Sequence, residues 1–431
     1  MRRSWQPATD TLICCMAKTA TFWKNTMSVL SGTMVAQAIP LVGTLIMARI
    51  YTPADFGGFA SWLAIVTVAA VALTARFESS LAVVADGEAR ETAFFATVTT
   101  AALLSVLATI VLALAVLCFP MVLGSMSAVQ AVILIPAALA YALGQSWESF
   151  AAAEGAYRRL SILRIVQASI ILLIQVGIGL FRPSAEALSL AFTFGAALTL
   201  ILSSRLFPLH LPPHGMRRTM LTSFWKRQRR FPMFALPADT INTFSAQLPV
   251  LIVASRFGAD YAGYLAMTIR LLGAPVTLLG RSVLDVFKRY ASESYRERGH
   301  CRDEYLQTLR TLTIGAIVFC GVMLLVGQTA FALLLGEKWR MAGVIAIWML
   351  PLYSLRFIAS PLSYTFYIVD KQHVDLGWQI GLLGMTVATL TAFGSADLAL
   401  KGYAYGYSAL YLVYIYLSYR CSLGVRPVRA T

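Results

Sequence analysis

The sequence predicts an all-α polytopic membrane protein of about 12 transmembrane helices in two six-helix lobes. Three observations predict it. Of the 431 residues, 58% are hydrophobic and 13% charged, with a mean hydropathy of +0.71, which is more apolar surface than a soluble core of this length buries. Apolar stretches of roughly 20 residues, enough to cross about 30 Å of hydrocarbon as helix, follow one another with short breaks. The runs are continuous and rich in Leu, Ala, Val and Ile, whereas a strand barrel shows alternation in segments of about 10 residues.

In chain order, residues 1–26 form a retained arm: Arg2, Arg3, Asp10 and Lys18 precede the first apolar run without the compact core and cleavage site of a signal peptide. Six spans follow within residues 27–204, near Met27 to Ala48, Gly58 to Ala75, Ala93 to Cys118, Ala128 to Phe150, Ser161 to Phe181 and Glu186 to Ser204. Residues 205–232 are a basic loop with Pro208, Pro212 and Pro213. Six more spans occupy residues 233–419, near Met233 to Ser255, Tyr264 to Leu284, Leu309 to Leu335, Gly343 to Ile368, Leu376 to Phe393 and Gly402 to Tyr419, before a tail at 420–431. An even number of spans puts both termini on one side.

A net charge of +15 raises the question of nucleic acid, and its distribution answers it. With the N-terminus cytoplasmic, 24 of the 35 Lys and Arg fall inside, 6 outside and 5 within spans. The basic balance is therefore topology, with a secondary attraction of the inner loops to anionic lipid, and no nucleic-acid partner is expected. Cys14, Cys15, Cys118, Cys301, Cys320 and Cys421 lack any paired spacing for metal or a disulfide framework. His210 and His214 stand four apart, but Pro212 and Pro213 between them forbid the helix that would make them ligands. No phosphate-cradling G-x-x-x-x-G-K-[ST] run is present, so no cofactor is expected and energy is borrowed from elsewhere. Every outer loop is short, which leaves no domain for a polymerase or ligase; the expectation is a carrier, not an enzyme.

The two halves share an internal repeat. Leu45 to Ala60, LIMARIYTPADFGGFA, matches Leu251 to Ala266, LIVASRFGADYAGYLA, with Asp55 set against Asp260. Six spans being even, the repeat is parallel, about an axis along the membrane normal, as in carriers that alternate access around a central cavity.

Ionisable and polar residues inside spans mark such a cavity, because each must find a partner, water or the interface. Arg356 stands half way along the tenth span between Pro351 and Pro361, and either clamps an anion or pairs within the helix bundle. Arg270 lies two turns into the eighth span, ahead of Pro275. Arg281 and Asp285, four apart, are spaced to neutralise each other. Asp239 and Asn242, near the start of the seventh span, and Gln37 with Pro40 in the first are cavity-lining candidates. Glu148 and Asp239 are the candidate carboxylates for coupling to H⁺ or Na⁺, and Glu148 is equally placed to pair with Arg158 or Arg159 at the interface. Trp62, Trp147, Tyr403, Tyr405 and Tyr411 read as interface belts or helix packing.

The runs MARIYTPADFGGFASW and RFESSLAVVADGEAR, the Arg270 and Pro275 helix, and GEKWRMAG with LRFIASPLS resemble the flippases that move lipid-linked O-antigen or exopolysaccharide repeat units, over nearly the whole chain. Arg76, Phe77 and Glu78 match that family's Arg-aromatic-Glu pattern. The resemblance implies the V-shaped alternating-access fold of the multidrug, oligosaccharidyl-lipid and polysaccharide exporter superfamily, and a bacterial inner-membrane location. It implies a polyprenyl-diphosphate-linked oligosaccharide as substrate, with Arg356, Arg270 and Arg76 on the diphosphate, since guanidinium bonds phosphate in a bidentate manner. Glu78 joins the coupling candidates, and polymerase and glycosyltransferase partners follow from the same resemblance. Charged Arg281 and Asp285 depart from the family pattern. Two other functions remain open: an ion-coupled drug or metabolite exporter of the same superfamily, which for cationic cargo calls for cavity carboxylates, and an integral membrane glycosyltransferase, for which no acidic cluster is present.

Overall fold

The computed structural model describes residues 38–119, 126–207 and 217–424. Gln37, His210, His214, Cys14 and Cys15 lie outside the described residues, as do the side chains of Arg281 and Asp285. Among the described residues the regular structure is helical, without a strand. The helices are α1 Ala38–Ile50, α2 Pro53–Leu73, α3 Glu88–Cys118, α4 Ala128–Ala153, α5 Tyr157–Phe181, α6 Ala185–Leu206, α7 Arg217–Arg227, α8 Leu236–Phe257, α9 Ala259–Arg298, α10 Arg302–Leu335, α11 Arg340–Leu362, α12 Thr365–Ile368, α13 Gln372–Ala392 and α14 Ala396–Ser422. Seven of these segments are long and apolar enough to cross a membrane by length and composition, beginning with α2, α3, α4, α5 and α6. Of the others, α8 carries Asp239 and α9 carries Arg270; α9, read as a span over 21 residues, is a helix of 40 whose basic end, Lys288 to Arg298, continues past the apolar part.

The described chain forms two compact units. The first comprises Met1–Thr44, Ile65–Arg182 and Glu186–Phe244, and the second Leu45–Ala64, Pro183–Ala185 and Ser245–Thr431. In the first, α3 presents Ala93, Ala96, Thr97 and Thr100 on one buried face at helical spacing. Small residues bring helices close where lipid removes the hydrophobic drive for packing. Thr97 and Thr100 return their hydroxyls to the carbonyls of Ala93 and Ala96, at 2.8 and 2.7 Å. Phe94 packs on Trp147 and Phe150 with centroids 4.4 and 5.3 Å apart, and Phe207 closes the cluster. The start of α4 is fixed by a capping box, Ser127 with Gln130, and the Gln130 amide also donates to Ser189 of α6 at 3.0 Å. At the other end of α3, buried Arg90 bonds Glu154 (2.7 Å), Asp86 and the carbonyl of Leu81 (3.1 Å), tying three loops together.

In the second unit the repeated segments meet. A Cβ added at Gly57 would fall onto the Ala259 carbonyl and lie 2.6 Å from the Gly263 nitrogen, and one at Gly263 would fall onto the Pro53 carbonyl and 3.0 Å from the Gly57 nitrogen. The contact is reciprocal, so position 57 answers 263 and 53 answers 259. That is the register of the two matched segments aligned without a gap, in which Asp55 falls against Tyr261, one residue from Asp260. Beside it, fully buried Trp339 donates its indole N–H to Ala48 O at 2.8 Å, with Phe56 and Tyr264 edge-on at 5.7 and 6.2 Å. At the far end, buried Tyr305 donates to Ile415 O at 2.9 Å and meets Ser418 at 2.7 Å, joining α10 to α14.

Candidate functional site

Two clusters stand out, one in each unit. In the first unit, α2 ends at Leu73 and the chain turns through Ala75 (φ 48°) and Arg76 (φ 60°) into a 3-10 helix, Phe77–Ala82. Two successive non-glycine residues in the left-handed region cost about 1–3 kcal/mol each and persist only where the surroundings hold them. Here the hold is apolar: Phe77 and Leu81, 4% and 0% exposed, are sunk into the Phe94 and Trp147 core, with Phe224 of α7 against Phe77 at 5.3 Å.

The turn aims Arg76 at two carboxylates. Its Nη1 donates to Glu78 Oε1 at 2.7 Å, and its Nε lies 2.7 Å from Asp239 Oδ2 on α8. The second contact is ionic without hydrogen-bond alignment. Glu78 is buried, and its Oε2 has no hydrogen-bond partner. The adjoining cavity, about 330 Å³, is lined by Arg76, Glu78, Gln145, Glu148 and Arg164, with two serines. Glu148 pairs with Arg164 of α5 at 2.8 Å, rather than with Arg158 or Arg159. Three carboxylates thus share two guanidiniums, an arrangement one positive charge short of neutral that has an unused buried acceptor. Arg164 and Gln145 were not singled out by sequence; the signal was there in Arg164, an arginine one turn inside a span.

In the second unit, Arg356 projects from the middle of α11 with its side chain exposed and no carboxylate paired to it among the described residues. Four tyrosines, Tyr353 of α11 and Tyr403, Tyr407 and Tyr411 of α14, are near enough to interact with its charge. The three on α14 are four residues apart, and their rings follow one another at 5.4 and 5.2 Å. Trp378 of α13 backs Tyr411 at 5.2 Å. Three of the four tyrosines are buried, so they form the wall behind the guanidinium and leave its front accessible. Arg270 is half-buried on α9 one turn before Gly273, whose missing side chain leaves room for the Tyr353 ring at 3.9 Å. Asn242 is exposed on α8. Tyr353 and Tyr407 were missed in the sequence, although the spacing 403, 407, 411 was legible.

Among the described residues no group of His, Cys, Asp or Glu is arranged to hold a metal ion. A family model described as polysaccharide biosynthesis protein matches residues 46–343. No curated protein matches the sequence significantly. Among solved structures, the lipid II flippase MurJ in an inward closed conformation is similar with a TM-score of 0.70 at 11% identity, covering 91% of this chain and 87% of that one. An inward-facing multidrug resistance MATE family transporter of the MOP superfamily gives 0.61 at 12% identity, covering 90% and 93%. A MOP superfamily transporter from Pyrococcus furiosus, described as having reversed binding-pocket polarity, gives 0.56 at 15% identity, covering 92% and 93%. The chain is a multi-pass membrane protein with the fold of the MOP-superfamily transporters, and it belongs to the polysaccharide biosynthesis protein family.

Proposed function

We propose that this protein is a flippase that carries a polyprenyl-diphosphate-linked oligosaccharide across the bacterial inner membrane by ion-coupled alternating access. The observation that carries the reading is Arg356: a cation half way along an apolar helix, walled by tyrosines and without a paired carboxylate among the described residues. Placing a charge there costs about 3 kcal/mol on insertion scales, which a purely structural residue would offset with an ion pair. An anion supplied by cargo offsets it instead, and a diphosphate presents oxygens to the guanidinium fork. Arg270, one turn before the Gly273 that faces Tyr353, is the second cation for the same group. The lipid tail stays in the bilayer while the sugar crosses. The family membership and the flippase among the similar folds support the assignment.

Coupling belongs to the other cluster. Glu78, with its unused oxygen, and Glu148 and Asp239, each held by an arginine, are the groups to take H⁺ or Na⁺. These carboxylates also favour the second reading, an ion-coupled exporter of drugs or metabolites. Both termini are cytoplasmic in either reading, and glycosyltransferases and a polymerase supply and consume the glycan in the first.

The test is flipping of a fluorescent polyprenyl-diphosphate oligosaccharide in proteoliposomes under a proton or Na⁺ gradient. Native protein flips the lipid, Arg356→Ala loses at least tenfold, and Arg356→Lys recovers only part, because an ammonium cannot fork. Export of a drug or metabolite with no flipping of any lipid-linked glycan overturns the assignment.

A further inference from the structure

The basic segment around α7 has a use that the transport reading leaves unassigned. Phe224 of α7 is buried in the first unit's core, Leu221 packs beside it, and the Trp225 indole donates to Thr100 Oγ1 of α3 at 2.9 Å. The apolar face of α7 is therefore covered by protein. Its place along α3 follows from the same hydrogen bond. Glu91 is the last charged residue of α3, and Thr100 is nine residues further along, about 14 Å at 1.5 Å per residue. α7 is thus packed against the first half of α3, a helix long and apolar enough to cross a membrane.

Lys226, Arg227, Arg229 and Arg230 are exposed there, and none is ion-paired among the described residues. No acidic residue occurs between Arg217 and Ala235. Directly after the cations, Met233 and Phe234 are 60% and 68% exposed in the π-helical turn Phe231–Ala235. Cations beside bare apolar side chains, on an element packed against a span-length helix, match one surface: phosphates above, acyl chains below.

We propose that this face is a docking site for anionic phospholipid headgroups, with Lys226, Arg227, Arg229 and Arg230 on the phosphates and Met233 and Phe234 in the acyl layer. Docking bears on the strained turn. Phe224 sits on Phe77, between Arg76 and Glu78, so an α7 held against the leaflet braces the left-handed segment that positions Arg76. The site is independent of what the protein transports.

The experiment is hydrogen exchange of the full chain in nanodiscs of phosphatidylcholine, with and without phosphatidylglycerol. Anionic lipid is expected to slow exchange of residues 217–235 and 74–83 at least about fivefold, the factor one cation near a charged surface supplies. The quadruple variant Lys226→Gln, Arg227→Gln, Arg229→Gln, Arg230→Gln loses the slowing in both segments, as does high salt in the native chain. Phe224→Ala keeps it in 217–235 and loses it in 74–83, and Phe224→Leu restores it, which separates loss of the brace from misfolding. Equal exchange in the two lipids, or slowing that survives the quadruple variant, overturns the headgroup site. Protection of 74–83 that persists in Phe224→Ala overturns the brace.

Discussion

Arg90 shows how a single side chain is held by partners that sequence spacing does not reveal. It is 4% exposed and bonds Glu154, 64 positions away, besides Asp86 and the Leu81 carbonyl. Replacing it with Met leaves Glu154 and two carbonyls unanswered; with Asp86 still in water, we expect a loss near 3 kcal/mol, the low end for a broken buried pair. Thermal unfolding in detergent checks it, and an unchanged midpoint removes Arg90 from the framework. Cys301 gives a chemical prediction. Burial first, then Glu304 and Cys421, pushes its thiol up to about 12. The folded state therefore keeps the proton that the unfolded chain loses near pH 8.5, so this contribution is full below that pH and lost as pH rises toward 12. Maleimide at pH 8 should leave Cys301 unmodified until the protein unfolds; modification of native protein contradicts its burial. Arg356 was legible in the sequence because charge in apolar surroundings is conspicuous, and Arg76 and Glu78 because they match the Arg-aromatic-Glu pattern of the family the chain resembles. Their neighbours were not: Asp239 reaches Arg76 from 163 positions away, and nothing in either local pattern says so.

At the scale of the element, hydropathy and capping chemistry carried most of the information. Thr52 and Asp55 exchange side-chain and backbone hydrogen bonds (3.0 and 3.2 Å) ahead of the first apolar turn of α2, a start signal visible in YTPADF. The end of α2 was not visible, because Ala75 and Arg76 are poor left-handed residues and only the Phe77 and Leu81 core forces them there. Glycine at 263 is required by the Pro53 carbonyl, which occupies the place of its Cβ. Gly263→Ala must push two backbones apart, and overpacking of this kind costs about 1–3 kcal/mol. The variant's lower unfolding midpoint in detergent is the measurement; Gly384→Ala on α13, where a Cβ meets nothing, is the control that should leave stability unchanged.

For the whole molecule, the fold class was readable because lipid imposes helices on any spanning backbone. Topology makes the corresponding prediction: a fluorescent protein fused after Thr431 should mature in the cytoplasm, while alkaline phosphatase fused there should stay inactive. The opposite pair of results would invert the orientation drawn from basic residues. Function was readable only as far as the residues that break the apolar pattern, since a cargo leaves no mark beyond the charges that receive it.

The reciprocal glycine contact carries one more consequence, in the epistasis it imposes. A Cβ at Gly57 would land on the Ala259 carbonyl and one at Gly263 on the Pro53 carbonyl, across the same pair of helices. Once alanine at either position has separated the two helices, the room for the second methyl already exists. The double variant should therefore be less damaged than the sum of the singles, with a coupling energy of about 0.5–3 kcal/mol in a double-mutant cycle. Two positions more than two hundred residues apart then behave as one site, so a lineage that loses the first glycine is released from the need to keep the second.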